Sequence, residues 1–216
     1  GLRLYRRAVP FFLGMALGDY IFGGIWSIGS ILTNTTLYQL LAIKKIELQD
    51  IELFLKPTIK NYMPNPNQIT DMEVAVNRTL KGILNSETIG IFGDYDVDGA
   101  TSTAILGNYF NQIDIKTEIY IPDRKSEGYG PNQQGFEKLI SNGSKLIFTV
   151  DCGTLSFDTI NFSQSKNTDV LVLDHQQSDL KLPNAFSIVN PNRFDDKSNL
   201  NYLCAAGAVS YTHLRA

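Results

Sequence analysis

Residues 88–99 read TIGIFGDYDVDG, and this stretch decides the fold class. Its first half is an apolar run of strand length, and its second half is a turn that carries three aspartates. An apolar-patterned helix is predicted next, over residues 101–110. The same alternation gives further predicted strands over residues 116–121, 145–150, 169–173 and 186–189, and helices over residues 133–141 and 157–165. Repeated βα units predict an α/β fold with a doubly wound, mostly parallel sheet.

Three of the predicted strands run directly into acidic residues. The first is followed by the aspartates of residues 94–98, the third by Asp151, and the fourth by Asp174 and His175. In a parallel sheet the carboxyl ends of the strands meet at one edge, where ligands bind. Carboxylates placed that close repel each other unless a cation lies between them. Oxygen ligands with one imidazole suit Mn²⁺ or Mg²⁺, and a pair of such ions roughly 3.5–4 Å apart suits phosphoester hydrolysis.

Two other interpretations of the acidic turn are weaker. The pattern at residues 94–99 also opens a calcium-binding EF-hand loop, but that loop needs a glutamate at its twelfth position, which is Ile105 here. A predicted strand, and not a helix, precedes the turn. A single Asp-Gly pair is usually a helix cap or a turn, and three acidic strand ends in one chain argue against that explanation.

Composition describes a globular chain with no nucleic-acid signature. Apolar residues make up 43% of the chain and the net charge is -3, so charge alone argues against DNA binding. Cys152 and Cys204 lie too far apart for a metal-binding or disulfide pattern, which fits a reducing compartment.

The first part of the chain differs from the rest. Residues 11–32 are apolar with one charge, Asp19, and this run is long enough to cross a bilayer. We expect residues 1–36 to be an apolar helical segment that resembles the end of a bacterial multi-pass membrane protein, foreign to the rest of the chain; the alternative is an apolar extension of a soluble protein. Residues 37–85 are predicted to be helical, with a capping box at Thr70 and Glu73. The apolar face of that last helix would carry Met72, Val76, Leu80, Ile83 and Leu84.

The acidic motifs resemble a known family. Residues 93–102 resemble the first motif of the RecJ-type exonucleases, members of the DHH phosphoesterase superfamily that digest single-stranded DNA from 5′ to 3′. Residues 121–130 resemble the next signature, residues 150–153 the second acidic motif, and residues 174–175 the start of the DHH triplet. Residues 190–193, followed by Ala206 and Gly207, resemble the segment after it.

The resemblance implies a DHH-type Rossmann-like domain over residues 86–209 and a site built on two ions of Mn²⁺ or Mg²⁺. Asp96, Asp98 and Asp151 would be catalytic metal ligands, with Asp151 bridging the ions. His175 would be the catalytic ligand of the second ion, and Asp94 a ligand or a support. The residues expected to bind substrate are Arg124, Tyr129, Gln176, Asn192 and Arg193. For the arginines, Asn192 and Tyr129, the alternative is an ordinary surface or turn residue.

The same resemblance implies metal-dependent hydrolysis of phosphodiester bonds in single-stranded DNA during recombination and repair, without a covalent protein intermediate. Expected partners are single-stranded DNA, a single-strand-binding protein and a repair helicase. No stable membrane partner is expected for the nuclease part, and the expected compartment is the bacterial cytoplasm.

This sequence departs from the family pattern in several places. Phe92 replaces a common histidine, and Gln176 replaces the second histidine of the triplet; a glutamine cannot carry a proton, so we expect a lower rate. Residues 210–216 resemble a translated adapter remnant. The resemblance implies a fourth acidic motif and C-terminal binding domains beyond these residues, so we expect this segment alone to be weak or inactive. The alternatives are an inactive DHH-like scaffold that binds DNA or partners, and a phosphoesterase tethered to a membrane by residues 11–32.

Overall fold

The computed structural model describes residues 63–213, together with Glu47, Ile51, Leu55 and Lys56. The chain divides into two compact units, residues 1–63 and residues 64–216, and the sheet and its helices belong to the second unit. Within the described part, no helix is long and apolar enough to cross a membrane. The predicted apolar segment 1–36 lies outside the described residues, and so does most of the first part of the predicted helical region 37–85, up to residue 62.

Five strands form one sheet, and every neighbouring pair is parallel. The order across the sheet is β2-β1-β3-β4-β5. This confirms the predicted α/β class and the parallel sheet. The strands are β1 (Thr88–Gly93), β2 (Thr117–Tyr120), β3 (Ser144–Val150), β4 (Asp169–Leu173) and β5 (Ser187–Val189).

Helices cover both faces of the sheet, because alternate residues of each buried strand point to opposite sides. A 3-10 turn (Pro66–Gln68) precedes the first helix. The helices are α1 (Met72–Leu84), α2 (Val97–Gln112), α3 (Gln133–Ser141), α4 (Phe157–Ser165) and α5 (Ala205–His213). In β3, Phe148 packs into the core shared with α1, α2 and α5, whereas Ile147 packs into the core shared with α3 and α4.

Most predicted boundaries are confirmed within a residue or two, and α2 is the exception. It begins at Val97, earlier than the predicted residue 101, because Asp96 caps it with a side-chain bond from the Gly99 amide (2.9 Å). The second half of the acidic turn is therefore the first turn of a helix. At the other end of the domain, α5 ends at His213 and therefore crosses the boundary that the sequence predicts between the domain (86–209) and the tail (210–216). That boundary stays a prediction.

The predicted capping box of α1 is wrong. Asp71, in the left-handed region at φ 64°, is the N-cap residue, and its side chain makes no capping bond to the helix. The Asp71 carboxylate instead accepts bonds from the Ile188 amide (3.1 Å) and from Arg193 (2.7 Å). The start of α1 is thus set by long-range contacts with the segment around β5. On the predicted apolar face of α1, Leu84 is exposed, whereas Met72 and Val76 are buried.

A buried arginine ties α1 to the sheet. The Arg78 guanidinium bonds Asp169 (2.5 Å) at the start of β4 and Glu87 (2.7 Å) before β1. Arg78→Met would remove two charge-assisted hydrogen bonds made by a buried guanidinium, and Glu87 and Asp169, which are only partly exposed, would lose their partner. We expect this variant to lower the free energy of unfolding by about 2 kcal/mol in urea denaturation. Lys81→Met, on an exposed position of the same helix, should stay within about 0.5 kcal/mol; equal losses in both variants would contradict this role of Arg78.

Candidate metal centre

Four neighbouring strands end in one row. Gly93 of β1 is in register with Val150 of β3, which is in register with Leu173 of β4, which is in register with Val189 of β5. The next residue of each strand is polar and buried, and these four are Asp94, Asp151, Asp174 and Asn190. The strand order reverses between β1 and β3, which is where ligands bind in such sheets. The acidic strand ends therefore meet at one edge, as predicted.

Two groups of side chains at this edge have the composition of a cation site. One contains Asp94, Asp96 and Asp151, and the other contains Asp98, Asp151 and His175; in each, one ligand atom per residue lies within 4.8 Å of the others. Asp151 belongs to both. His175 Nε2 lies 3.2 Å from Asp151 Oδ1 and 3.5 Å from Asp98 Oδ2. All five predicted ligand residues are thus brought together.

The two aspartates at the start of α2 are held by backbone amides. Asp96 accepts from Gly99, and this bond is the main reason that its pKa is lowered. Asp98 accepts from the amides of Ala205 and Ala206, both at 2.8 Å, at the N-terminus of α5. Helix N-termini favour negative charge, so the amides at the starts of α2 and α5 are suited to hold these two carboxylates in place.

Asp151 is the most constrained residue of the cluster. It lies in the left-handed region at φ 60°, its side chain is buried, and its Oδ1 accepts no hydrogen bond from the described residues. Burial, followed by the side chain and charge of Asp96, raises the pKa of Asp151 to about 8. Burial also raises the pKa of Asp94, against the opposing charge of Arg124. Without a cation, the ionised cluster is therefore unfavourable.

The turn after β4 is organised by Asp174, whose two oxygens accept bonds from neighbouring protein groups. Its Oδ1 accepts from the amides of His175 (2.7 Å) and Gln176 (3.1 Å), and its Oδ2 accepts from the Thr154 hydroxyl (2.7 Å). Asn190 donates to the same hydroxyl (2.9 Å) and to the carbonyl of Gln176 (2.8 Å). The sequence alone does not mark Thr154 and Asn190 as site residues, although Asn190 follows β5 as the acids follow their strands.

The predicted substrate residues fall into two sets. Arg124 is exposed, and its guanidinium carbon lies 5.2 Å from the centroid of the Tyr95 ring. The charge of Arg124 acts to lower the pKa of Asp94, against the larger effect of burial. Tyr129 and Gln176 line a cleft of about 230 Å³ beside the acidic cluster. The remaining walls of this cleft are Gly130, Pro131, Gly153, Thr154, Leu155, Ser156, Asp174 and Gln177.

The other two predicted substrate residues face the protein. Arg193 binds Asp71 (2.7 Å), the Ile188 carbonyl (2.7 Å) and Asp195 (2.6 and 2.9 Å), so its guanidinium is engaged within the fold. Asn192 donates to the backbone carbonyl of His175. The geometry gives both residues a role in holding the turns that carry the site.

Two side chains next to the cluster contribute packing. Phe92, where the family resemblance implies a histidine, is buried and packs near Tyr120 (5.5 Å between ring centroids) and Phe136 (5.6 Å). Cys152 is buried, and burial raises the pKa of its thiol well above the usual value. A thiol held in the neutral form is a poor nucleophile, which agrees with the expected hydrolysis without a covalent protein intermediate.

The acidic turn needs a glycine at residue 99. A Cβ added there would lie 2.6 Å from the backbone oxygen of Asp94, closer than real Cβ atoms come. We expect Gly99→Ala to lower the free energy of unfolding by about 1–3 kcal/mol, measured by urea denaturation. Gly107→Ala on the same helix meets only the end of the Ile119 side chain at 3.2 Å, and it should be neutral or stabilising by up to about 1 kcal/mol. Equal effects at both positions would contradict the close approach.

Comparison with known proteins agrees with this geometry. Residues 88–214 match the model of the DHH family, N-terminal domain, and residues 1–42 match a model described as a family of unknown function. The single-stranded-DNA-specific exonuclease RecJ of Bacillus subtilis is 36% identical over 129 residues, which is 60% of this chain and 16% of that protein. The Haemophilus influenzae RecJ is 41% identical over 139 residues, 64% of this chain and 24% of that protein.

A solved structure described as exonuclease RecJ bound to manganese has 25% identity and a TM-score of 0.62, and the match covers 68% of this chain and 37% of that one. This chain thus spans 16–24% of the length of the two curated relatives. The family match covers more than half of the chain and contains every residue of the two cation groups. The chain therefore belongs to the DHH family.

Proposed function

We propose that this DHH domain hydrolyses phosphodiester bonds of single-stranded DNA with the help of two divalent cations, Mn²⁺ or Mg²⁺. The observation that carries the proposal is the pair of three-residue groups that share Asp151 at one edge of the sheet. The similarity to RecJ exonucleases, one of them solved with manganese, supports the same activity.

The donor set fits the proposed ions. Asp94, Asp96 and Asp151 would hold one cation, and Asp98, Asp151 and His175 would hold the other. Carboxylate oxygens with a single imidazole suit Mn²⁺ and Mg²⁺ better than metals that prefer thiolates. When bound, such a pair acidifies water and offers positive charge to the leaving oxygen. The buried Oδ1 of Asp151 has the His175 Nε2 at 3.2 Å but accepts no hydrogen bond of regular geometry from the described residues, so it is suited to a cation.

The residues around the cations would bind the DNA strand. Arg124 is an exposed guanidinium beside Asp94 and is suited to a phosphate. Tyr129 exposes its ring in the cleft and is suited to a base. Gln176 is neutral at every pH, so it carries no proton in the reaction. Bound cations also explain how a chain with a net charge of -3 attracts DNA, since they offset the charge of the acidic edge.

The finer parts of the proposal rest on the family resemblance. We propose digestion from 5′ to 3′, a role in recombination and repair, a single-strand-binding protein and a helicase as partners, and the cytoplasm as the compartment. Digestion of strands labelled at either end tests the direction, since a 5′→3′ enzyme releases the 5′ label first.

The activity is tested on the full 216-residue chain, freed of metal and titrated with Mn²⁺ by calorimetry. Hydrolysis is then followed on single-stranded DNA and on a small phosphodiester, which needs no extended binding surface. We expect two Mn²⁺ per chain and hydrolysis that stops with EDTA. Asp179→Asn, which alters an exposed carboxylate outside both groups, should behave like the unaltered chain. Absence of Mn²⁺ binding would overturn the proposal.

The second candidate function is a scaffold that binds DNA or partners without catalysis. Gln176 favours it, because this position lacks a residue that can carry a proton. A scaffold has no use for a buried carboxylate that repels its neighbours, which is why we place it second. Mn²⁺ binding without hydrolysis of either substrate would support the scaffold.

A further inference from the structure

We propose that Gln176 and Tyr129 act together as positioning residues that hold the backbone carbonyl of Asp151 and thereby fix the direction of the shared carboxylate. This inference rests on the proposed cation site. It gives both residues a role beyond the substrate contact that the sequence predicts for them.

Asp151 needs to be held because its conformation is unfavourable. A non-glycine residue in the left-handed region brings its Cβ close to the following carbonyl oxygen, and Asp151 lies there with φ 60°. Such conformations persist only where the surroundings fix both sides of the residue. On one side, the Asp151 amide donates to the Leu173 carbonyl (3.0 Å) and continues the sheet register. On the other side, the Asp151 carbonyl needs donors from outside the sheet.

Those donors are two side chains. The Gln176 amide nitrogen and the Tyr129 hydroxyl each lie 3.3 Å from the Asp151 carbonyl oxygen, and Gln176 also donates to that hydroxyl. Since a carbonyl only accepts, the nitrogen of the Gln176 amide must face it. The phenol donates to the carbonyl and accepts from the amide, so every donor meets an acceptor. The Tyr129 ring is itself placed edge-on to Tyr95, with centroids 6.4 Å apart.

Glutamine suits this place for electrostatic reasons. A carboxylate at residue 176 would repel the carbonyl of Asp151 and the acidic cluster next to it, whereas an amide donates at every pH. Groups that orient metal ligands typically change metal affinity by about 10–100-fold when removed, although they do not touch the ion. Gln177 is the exposed neighbour that lines the same cleft, so it offers a matched control.

The test compares Gln176→Met with Gln177→Met in the full chain. We expect Gln176→Met to weaken Mn²⁺ binding by about 10-fold or more, and to speed hydrogen exchange of the Cys152 and Gly153 amides in the metal-free chain. Gln177→Met should change neither quantity. Tyr129→Phe should act in the same direction, and the double variant should be little worse than the stronger single one, because both side chains hold one carbonyl.

The outcomes separate this inference from the proposed function. If the unaltered chain binds Mn²⁺ and Gln176→Met matches it in affinity and in amide exchange, the inference is wrong and the cation site stands. If the unaltered chain binds no Mn²⁺, the proposed function fails, and the amide exchange of the two glutamine variants still decides whether Gln176 holds Asp151.

Discussion

The Asp151→Asn variant is expected to lose Mn²⁺ binding at both sites, with affinity at least about 100-fold weaker, and to lose hydrolysis with it. The reason is geometric, since Asp151 is the one residue common to both ligand groups. Asparagine keeps the size of the side chain and its carbonyl oxygen, but it removes the charge and one of the two ligand oxygens. Calorimetric titration with Mn²⁺ measures the loss directly.

His175→Ala should behave differently from Asp151→Asn. His175 contributes to one group only, so we expect one of the two Mn²⁺ ions to be lost and the other to stay. The exposed Asp179→Asn serves as the control for removing one negative charge. If Asp151→Asn kept one tight ion, Asp151 would not be shared in the way that the geometry indicates.

The metal-free chain is expected to lose stability as pH rises, and Asp151→Asn is expected to remove that loss. The pKa of Asp151 is about 8 in the folded chain against 3.8 for an unperturbed aspartate. Below pH 3.8 the folded and the unfolded chain both keep the carboxyl proton of Asp151, so this residue does not make stability depend on pH there. Between pH 3.8 and pH 8 only the unfolded chain releases this proton, so the free energy of unfolding falls by about 1.4 kcal/mol for each unit that the pH rises. Above pH 8 the fall ends.

The predicted difference is on the order of 4 kcal/mol between pH 4 and pH 8 in EDTA. Other carboxylates act in the opposite sense, since Asp96 and Asp195 have lowered pKa values and lose their contribution as pH falls. The measurement is therefore a difference: the stability of Asp151→Asn minus that of the unaltered chain, from urea denaturation at each pH. A difference that does not grow with pH would show that Asp151 is not destabilised by its surroundings.

The sequence predicted the sheet and its acidic edge well, for a physical reason. Each buried strand is a short apolar run, and the residue directly after it is the polar residue that lies at the candidate site. The parallel order then brings Asp94, Asp151 and Asp174 together without further information. The family resemblance added the expected roles of His175 and of the shared aspartate, which spacing alone does not assign and which stay predictions.

The features that escaped prediction depend on contacts between distant segments. The start of α1 depends on Asp71, whose carboxylate binds an arginine 122 residues away. Arg193 looks available for phosphate in the sequence, but the fold pairs it with two carboxylates. The left-handed backbone of Asp151 and its carbonyl contacts are likewise properties of the assembled edge. Such contacts join residues that no local pattern relates to each other.

The most direct test of the central claim, that two cations share one carboxylate, is the electron paramagnetic resonance spectrum of the chain with two equivalents of Mn²⁺. Ions roughly 3.5–4 Å apart are magnetically coupled, so we predict a coupled-pair spectrum in the unaltered chain and in Asp179→Asn. Asp151→Asn should give free Mn²⁺ or isolated ions only. Isolated-ion spectra from the unaltered chain at two bound equivalents would contradict the shared site.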